Sequence, residues 1–93
     1  KLRVGINGFG RIGRVLFRAG FDDLEIVGIN NSSGEPEEHA HLLKYDSTHG
    51  VYSKDVTSDD KHIIVDGKKI KMSSERDPSK IPWGDWGVDL VLE

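Results

Sequence analysis

No cysteine occurs among the 93 residues, which excludes disulfides and any cysteine nucleophile within this stretch. No apolar run approaches the roughly 18 residues that a membrane span requires. The N-terminus alternates like a strand and lacks the charged-then-apolar layout of a signal peptide. Nor is there a basic surplus: the net charge is -3 and the pI is about 5.8, so no broad electrostatic surface exists for nucleic acid or an anionic membrane. Internal repeats and low-complexity linkers are missing as well. These absences lead us to expect a soluble cytoplasmic protein with no nucleic-acid and no membrane partner, in which any phosphate site is local.

What is present suits one domain, or a piece of one. The length leaves no room for a second core. Hydrophobic residues at 35% and charged residues at 31% describe an ordinary folded chain on the polar side, as does the mean hydropathy of -0.48. The chain starts at Lys1 without a methionine and stops at Glu93 directly after an apolar run, which reads as a processed or truncated piece.

Leu2, Val4 and Ile6 alternate over Leu2 to Asn7 and predict a first strand, broken by the glycine cluster Gly8 to Gly13. Ile12, Val15, Leu16 and Ala19 then fall at helical spacing, with Arg11, Arg14 and Arg18 on another face, predicting an amphipathic helix whose apolar stripe is the first set. Gly20 supplies a stop, and Glu25 to Asn30 (EIVGIN) supplies a second strand. Strand, helix, strand in that order favours parallel pairing through a right-handed crossover. Ser32 and Ser33 are candidate caps for a second helix from Pro36 to about Tyr45, followed by a loop, Asp46 to Gly50. Asp66-Gly67 between His62 to Val65 and Lys68 to Ser73 predicts a two-residue antiparallel hairpin. Asp77 before Pro78 predicts a capped helical turn, and Val88 to Leu92 a last strand. The fold class is therefore α/β: a Rossmann-type dinucleotide-binding domain, mostly parallel with an antiparallel hairpin, truncated.

Gly8-Phe9-Gly10-Arg11-Ile12-Gly13 matches G-x-G-x-x-G between a strand and a helix, the setting that gives the motif meaning. Gly8 permits the tight turn, Gly10 lets a pyrophosphate approach the backbone, and Gly13 lets helix and strand pack closely. The bland alternative is a glycine-rich turn with no ligand. Arg11, a cation in the first helical turn, opposes the macrodipole unless an anion offsets it. Either a pyrophosphate is that anion, or Arg11 simply continues the solvated face of Arg14 and Arg18. Asn31 stands eighteen positions after Gly13, where dinucleotide folds usually carry an acid for the adenosine ribose. Being neutral, it permits both NAD and NADP, since nothing there repels a 2′-phosphate. A turn-and-cap role shared with Ser32 and Ser33 is the structural alternative, and both roles are compatible. His39 and His41, two apart on a helix, do not share a face for joint ligation, and they read as ordinary polar helix residues.

Three separated segments resemble the phosphorylating glyceraldehyde 3-phosphate dehydrogenases: Asn7 to Arg14 (NGFGRIGR), Leu43 to Gly50 (LKYDSTHG) and Glu75 to Gly84 (ERDPSKIPWG). The likeness spans nearly the whole chain. It implies that Arg11 and Ile12 present backbone N–H groups to the cofactor pyrophosphate, that Asn7, Gly8, Phe9 and Gly10 form the binding turn, and that Asn31 takes the ribose position. Family members usually have aspartate there, so strict NAD preference is not implied. Arg76 lies where the family contacts the adenine end, an ion pair with Glu75 or Asp77 being the alternative. Asp46, Thr48 and His49 occupy a recognisable family loop for which structure or subunit contact is the reading.

The resemblance further implies an enzyme that oxidises an aldehyde by hydride transfer to the nicotinamide, through a thioester on a cysteine that phosphate then attacks. Neither that cysteine nor the family's catalytic histidine is among residues 1–93, so this stretch is expected to be the NAD(P)-binding part, without the catalytic domain and inactive alone. The parent is expected to be a homotetramer. Alternatives are an erythrose 4-phosphate dehydrogenase fragment, a non-catalytic nucleotide-binding module, or an assembly fragment that binds no nucleotide.

Overall fold

The structure, a computed structural model, describes residues 2–46 and 50–93. Its elements in chain order are β1 (Arg3–Asn7), α1 (Arg11–Gly20), β2 (Glu25–Asn30), α2 (Pro36–Lys44), β3 (Tyr45–Asp46), β4 (Gly50–Val51), β5 (Val56–Ser58), β6 (His62–Val65), β7 (Lys68–Ser73), a 3-10 turn (Pro78–Lys80) and β8 (Leu90–Leu92). One sheet runs β5-β6-β7-β2-β1-β8. The pairs β7/β2, β2/β1 and β1/β8 are parallel, whereas β5/β6 and β6/β7 are antiparallel. The mostly parallel α/β architecture read from the sequence is therefore present. Its hairpin turns at Asp66 (φ 50) and Gly67 (φ 82), the positive pair that an Asp-Gly type I′ turn needs.

Strand β5 was not anticipated. Val56–Ser58 is too short to show alternation and acquires its strand geometry by pairing with Ile63 to Val65. The predicted loop from Asp46 to Gly50 is bounded by a short antiparallel ladder in which Asp46 opposes Gly50, while Thr48 and His49 lie outside the described residues. The anticipated caps Ser32 and Ser33 do not cap α2. Glu35 holds that position without a side-chain hydrogen bond, and Pro36 opens the helix as expected. Asp77 does cap its turn, accepting from the Ser79 N–H at 3.0 Å and the Ser79 hydroxyl at 2.8 Å.

Both helices cover one face of the sheet. The core there joins Phe9, Phe17, Ala40 and Leu43 to Ile6, Ile26, Ile29, Ile63, Val65 and Ile70. Ile26 and Ile29 share this face although they are three apart, because the β1/β2 register slips between Val4/Gly5 and leaves Val27 as the extra residue of a bulge. The same slip turns Gly28 to the opposite face, where Trp86 lies against it, beside Trp83 lying against Gly5. The two indoles meet edge to face at 5.5 Å. Arg3 ties their segment down, donating to the carbonyls of Trp86 at 2.9 Å and Gly87 at 2.8 Å and pairing with Glu25 at 2.7 Å.

The stripe predicted for α1 is not the one it buries. Ile12 is 74% exposed and Val15 37% exposed, while Gly13 and Phe17 face the core. Close packing of Gly13 sets this rotation: a Cβ there would collide with the Gly8 carbonyl oxygen. Arg18, placed by its spacing on a separate polar face, instead reaches inward and donates to the carbonyls of Leu43 at 2.6 Å and Gly50 at 2.8 Å. Beneath it the buried Tyr52 packs its ring at 5.0 Å from the guanidinium. Burial, reinforced by Asp22, pushes the Tyr52 hydroxyl up to about 12. No helix among the described residues is long and apolar enough to cross a membrane.

Candidate functional site

The glycine turn is built by β1 ending beside β2. At Gly8 the backbone takes φ 93, a left-handed conformation that glycine adopts without strain. Its N–H donates to the Asn30 carbonyl at 2.7 Å. The next N–H, of Phe9, donates to the Asn31 side-chain oxygen at 2.9 Å. The Phe9 ring is fully buried and meets Phe17 edge to face at 5.9 Å. With its N–H and ring both engaged, Phe9 supports the turn from beneath.

Above this anchor the chain is bare. A Cβ on Gly10 would meet nothing within 4 Å. The N–H groups of Arg11 and Ile12 have no partner among the described residues, and α1 has neither an acid in its first turn nor a side-chain cap. Arg11 is exposed and makes no ion pair among the described residues. The positive end of the helix dipole and the Arg11 guanidinium thus occupy one end of α1 with no carboxylate among the described residues paired to them. The residues fit a pyrophosphate: donors, positive charge and room for close approach coincide.

Beside the turn is a groove of about 240 Å³ whose lining includes Asn7, Gly8, Asn31, Ser32, Arg76 and Ile81. The structure therefore gathers four of the residues singled out from the sequence, Asn7, Gly8, Asn31 and Arg76, around one hollow, with Gly10, Arg11 and Ile12 on the adjoining helix start. Arg76 is exposed and forms no ion pair with any described residue. The alternative pairing with Glu75 or Asp77 is not realised: Glu75 accepts from the Asp77 N–H at 3.2 Å and Asp77 caps Ser79. A larger hollow of about 640 Å³ along the outside of α2 is lined by Glu35, Glu37, Glu38, His41 and Leu42. Its three carboxylates repel an anion, so the smaller groove is the site that suits a dinucleotide.

Asn31 takes the turn role considered for it. Besides holding Phe9, its Nδ2 donates to the Ser33 carbonyl at 2.7 Å, forming a turn, and it still lines the groove. Asn30 was missed. Buried to 3% exposure, it donates to Asn7 Oδ1 at 3.1 Å and the Glu75 carbonyl at 3.0 Å. It also accepts from the Ser73 hydroxyl at 2.7 Å and the Glu75 N–H at 2.9 Å. Every donor and acceptor position of its amide is used, joining the C-terminal ends of β1, β2 and β7. The signal available in the sequence was an amide ending an otherwise apolar strand. His39 is the second correction: rather than an ordinary polar helix residue it is 7% exposed, with its ring 6.0 Å from that of Phe9. Among the described residues no group of three or more His, Cys, Asp or Glu side chains is placed to hold a metal ion.

Comparison with known proteins identifies the family. The family described as "Glyceraldehyde 3-phosphate dehydrogenase, NAD binding domain" matches residues 2–93. The chain is 52% identical over 93 residues to a glyceraldehyde-3-phosphate dehydrogenase of Borreliella burgdorferi. It is 49% identical over 94 residues to glyceraldehyde-3-phosphate dehydrogenase 3 of Saccharomyces cerevisiae, and 47% identical over 94 residues to a glyceraldehyde-3-phosphate dehydrogenase of Colletotrichum lindemuthianum. Each match covers 99% of this chain and 28% of the relative.

Proposed function

Since the chain belongs to the glyceraldehyde 3-phosphate dehydrogenase family through its NAD-binding domain, whose cofactor is NAD or NADP, we propose that residues 1–93 are the cofactor-binding part of an enzyme that oxidises glyceraldehyde 3-phosphate. In that reaction inorganic phosphate is taken up and an acyl phosphate is formed. Supporting the assignment is the meeting of the bare start of α1 with the groove at the ends of β1 and β2, where open strands of this topology receive their ligands.

Each residue then has a part. The N–H groups of Arg11 and Ile12, with the Arg11 charge, hold the pyrophosphate, while Gly8 and Gly10 leave the space it fills. Asn31 offers its amide to the adenosine ribose and Arg76 borders the adenine end. When bound, the cofactor supplies the nicotinamide as hydride acceptor. This chain orients that group and provides none of the acyl chemistry, since residues 1–93 contain no cysteine. For the whole protein, the same family reading extends to a cytoplasmic homotetramer.

The test is calorimetric titration of the folded chain with NAD, NADP and ADP at fixed salt. Saturable binding that weakens on Arg11→Ala and is lost on Gly10→Val supports the assignment, whereas a folded chain that binds none of the three overturns it. Phosphate-dependent NAD(P)H production by the 93-residue chain would refute its being catalytically inert alone.

A further inference from the structure

We propose that His39 is a positioning residue for the adenosine side of the groove, acting through the Ser33 carbonyl; the inference rests on the dinucleotide reading above. The ring lies inside the protein, on α2, and its hydrogen bond goes to Ser33, which stands next to the groove residues Asn31 and Ser32 without lining the groove itself. Its Nε2 is 2.8 Å from the Ser33 carbonyl oxygen and 3.4 Å from Asn31 Nδ2. A carbonyl only accepts, so the short contact puts the imidazole proton on Nε2, and the longer approach of two donors is not a hydrogen bond. The other nitrogen, Nδ1, is buried without a partner among the described residues.

Ser33 therefore accepts twice, from His39 Nε2 and from Asn31 Nδ2 at 2.7 Å, using both lone pairs of one oxygen. This arrangement ties the turn carrying Asn31 and Ser32 to α2. Gly34 follows with φ 88, and a Cβ there would stand 2.5 Å from His39 Nε2, so the turn closes directly over the ring. Leaving Nδ1 unpartnered while Nε2 is so tightly engaged is a costly way to fill a core position, since an apolar side chain would avoid the orphan. The geometry makes sense as a device that fixes where the Asn31 amide and Ser32 stand. The pyrophosphate donors of Arg11 and Ile12 lie on α1, and His39 meets the glycine turn only indirectly, by its ring contact with Phe9 at 6.0 Å, which a leucine also fills, and through Asn31, which accepts from the Phe9 N–H.

The experiment compares AMP, NAD and pyrophosphate binding to the wild-type chain, His39→Leu and His39→Gln by calorimetry. Loss of one neutral hydrogen bond in His39→Leu should weaken AMP and NAD about 3- to 10-fold. Pyrophosphate affinity should stay within about twofold, and His39→Gln, whose amide again offers an N–H, should recover most of the loss. Unchanged AMP affinity in a folded His39→Leu, or equal weakening of pyrophosphate, overturns the proposal while leaving the dinucleotide reading standing. A wild-type chain that binds neither AMP nor NAD removes both. Should His39→Leu not fold, nitrogen-15 spectra of the wild-type imidazole decide instead. A proton on Nε2, with signals that move on adding AMP and stay put with pyrophosphate, supports the assignment. A proton on Nδ1, or the same response to both ligands, overturns it.

Discussion

The indole of Trp86 occupies the place where a Cβ on Gly28 would stand. Neither residue accounts for the other in isolation: the glycine interrupts a strand of high β propensity, and the tryptophan sits in a loop. Together they let an aromatic ring press directly against the backbone of β2.

Gly28→Ala is accordingly expected to destabilise the chain by about 1–3 kcal/mol, the usual cost of forcing extra volume into a packed contact. Thermal unfolding followed by circular dichroism measures it. In the double variant with Trp86→Ala the Gly28→Ala penalty should largely vanish, and full additivity would show that the contact does not carry the effect.

The second and third glycines of the motif should separate cleanly. Gly13→Ala drives a methyl group into the Gly8 carbonyl and should lower stability, whereas Gly10→Ala meets only open space and should leave stability within about 0.5 kcal/mol. Under the proposed function Gly10→Ala still loses nucleotide affinity. A Gly10 variant that unfolds as readily as the Gly13 variant would contradict this division.

Asn31→Asp keeps an acceptor for the Phe9 N–H and introduces a negative charge at the groove. Against a 2′-phosphate, that charge should cut NADP affinity relative to NAD by about tenfold or more at low salt, with the effect shrinking as salt rises. The ratio of the two dissociation constants, measured in both variants, is the readout. An unaltered ratio would place the adenosine ribose away from Asn31.

Tyr52 sets an alkaline limit. Its hydroxyl is buried without a partner among the described residues, and its folded pKa is pushed up to about 12, above the ordinary value of 10.0. The unfolded chain releases this proton first, so the folded state holds more protons between the two values and stability declines as pH rises through that window, by up to about 2–3 kcal/mol. Below pH 10 the contribution is fully present. Tyr52→Phe should abolish this part of the decline and be neutral or slightly stabilising at pH 7, as urea midpoints at pH 7, 9 and 11 will show.

Much of the fold was legible because local chemistry and global packing agree. Asp66-Gly67 has a backbone preference that only a tight hairpin satisfies, and EIVGIN is a strand to the residue. The failure at α1 came from two sound rules in conflict. Helical spacing favoured Ile12, Val15, Leu16 and Ala19, yet the third motif glycine must face the strand, and Phe17, one turn on, follows Gly13 inward. Close backbone approach outranks a weak apolar stripe. At the candidate site, the bare N–H groups of Arg11 and Ile12 and the place of Arg76 beside the groove are what the motif and the resemblance led one to look for. Asn30 and His39 did not, because their roles depend on Glu75 and Ser33, and no spacing rule connects an amide to a residue 45 positions away.

Asn30 also bears on the order in which the molecule assembles. Its amide is satisfied only when β1 and the end of β7 have both arrived beside β2, and until then a polar group sits in an apolar strand with nothing but water to bond. The candidate-site end of the sheet is therefore expected to behave as one cooperative unit, and an opening that detaches β7 should dismantle it at one stroke. Amide hydrogens around Asn30 should exchange together, at the free energy of that opening, and a ligand that seals the groove should slow all of them by a common factor.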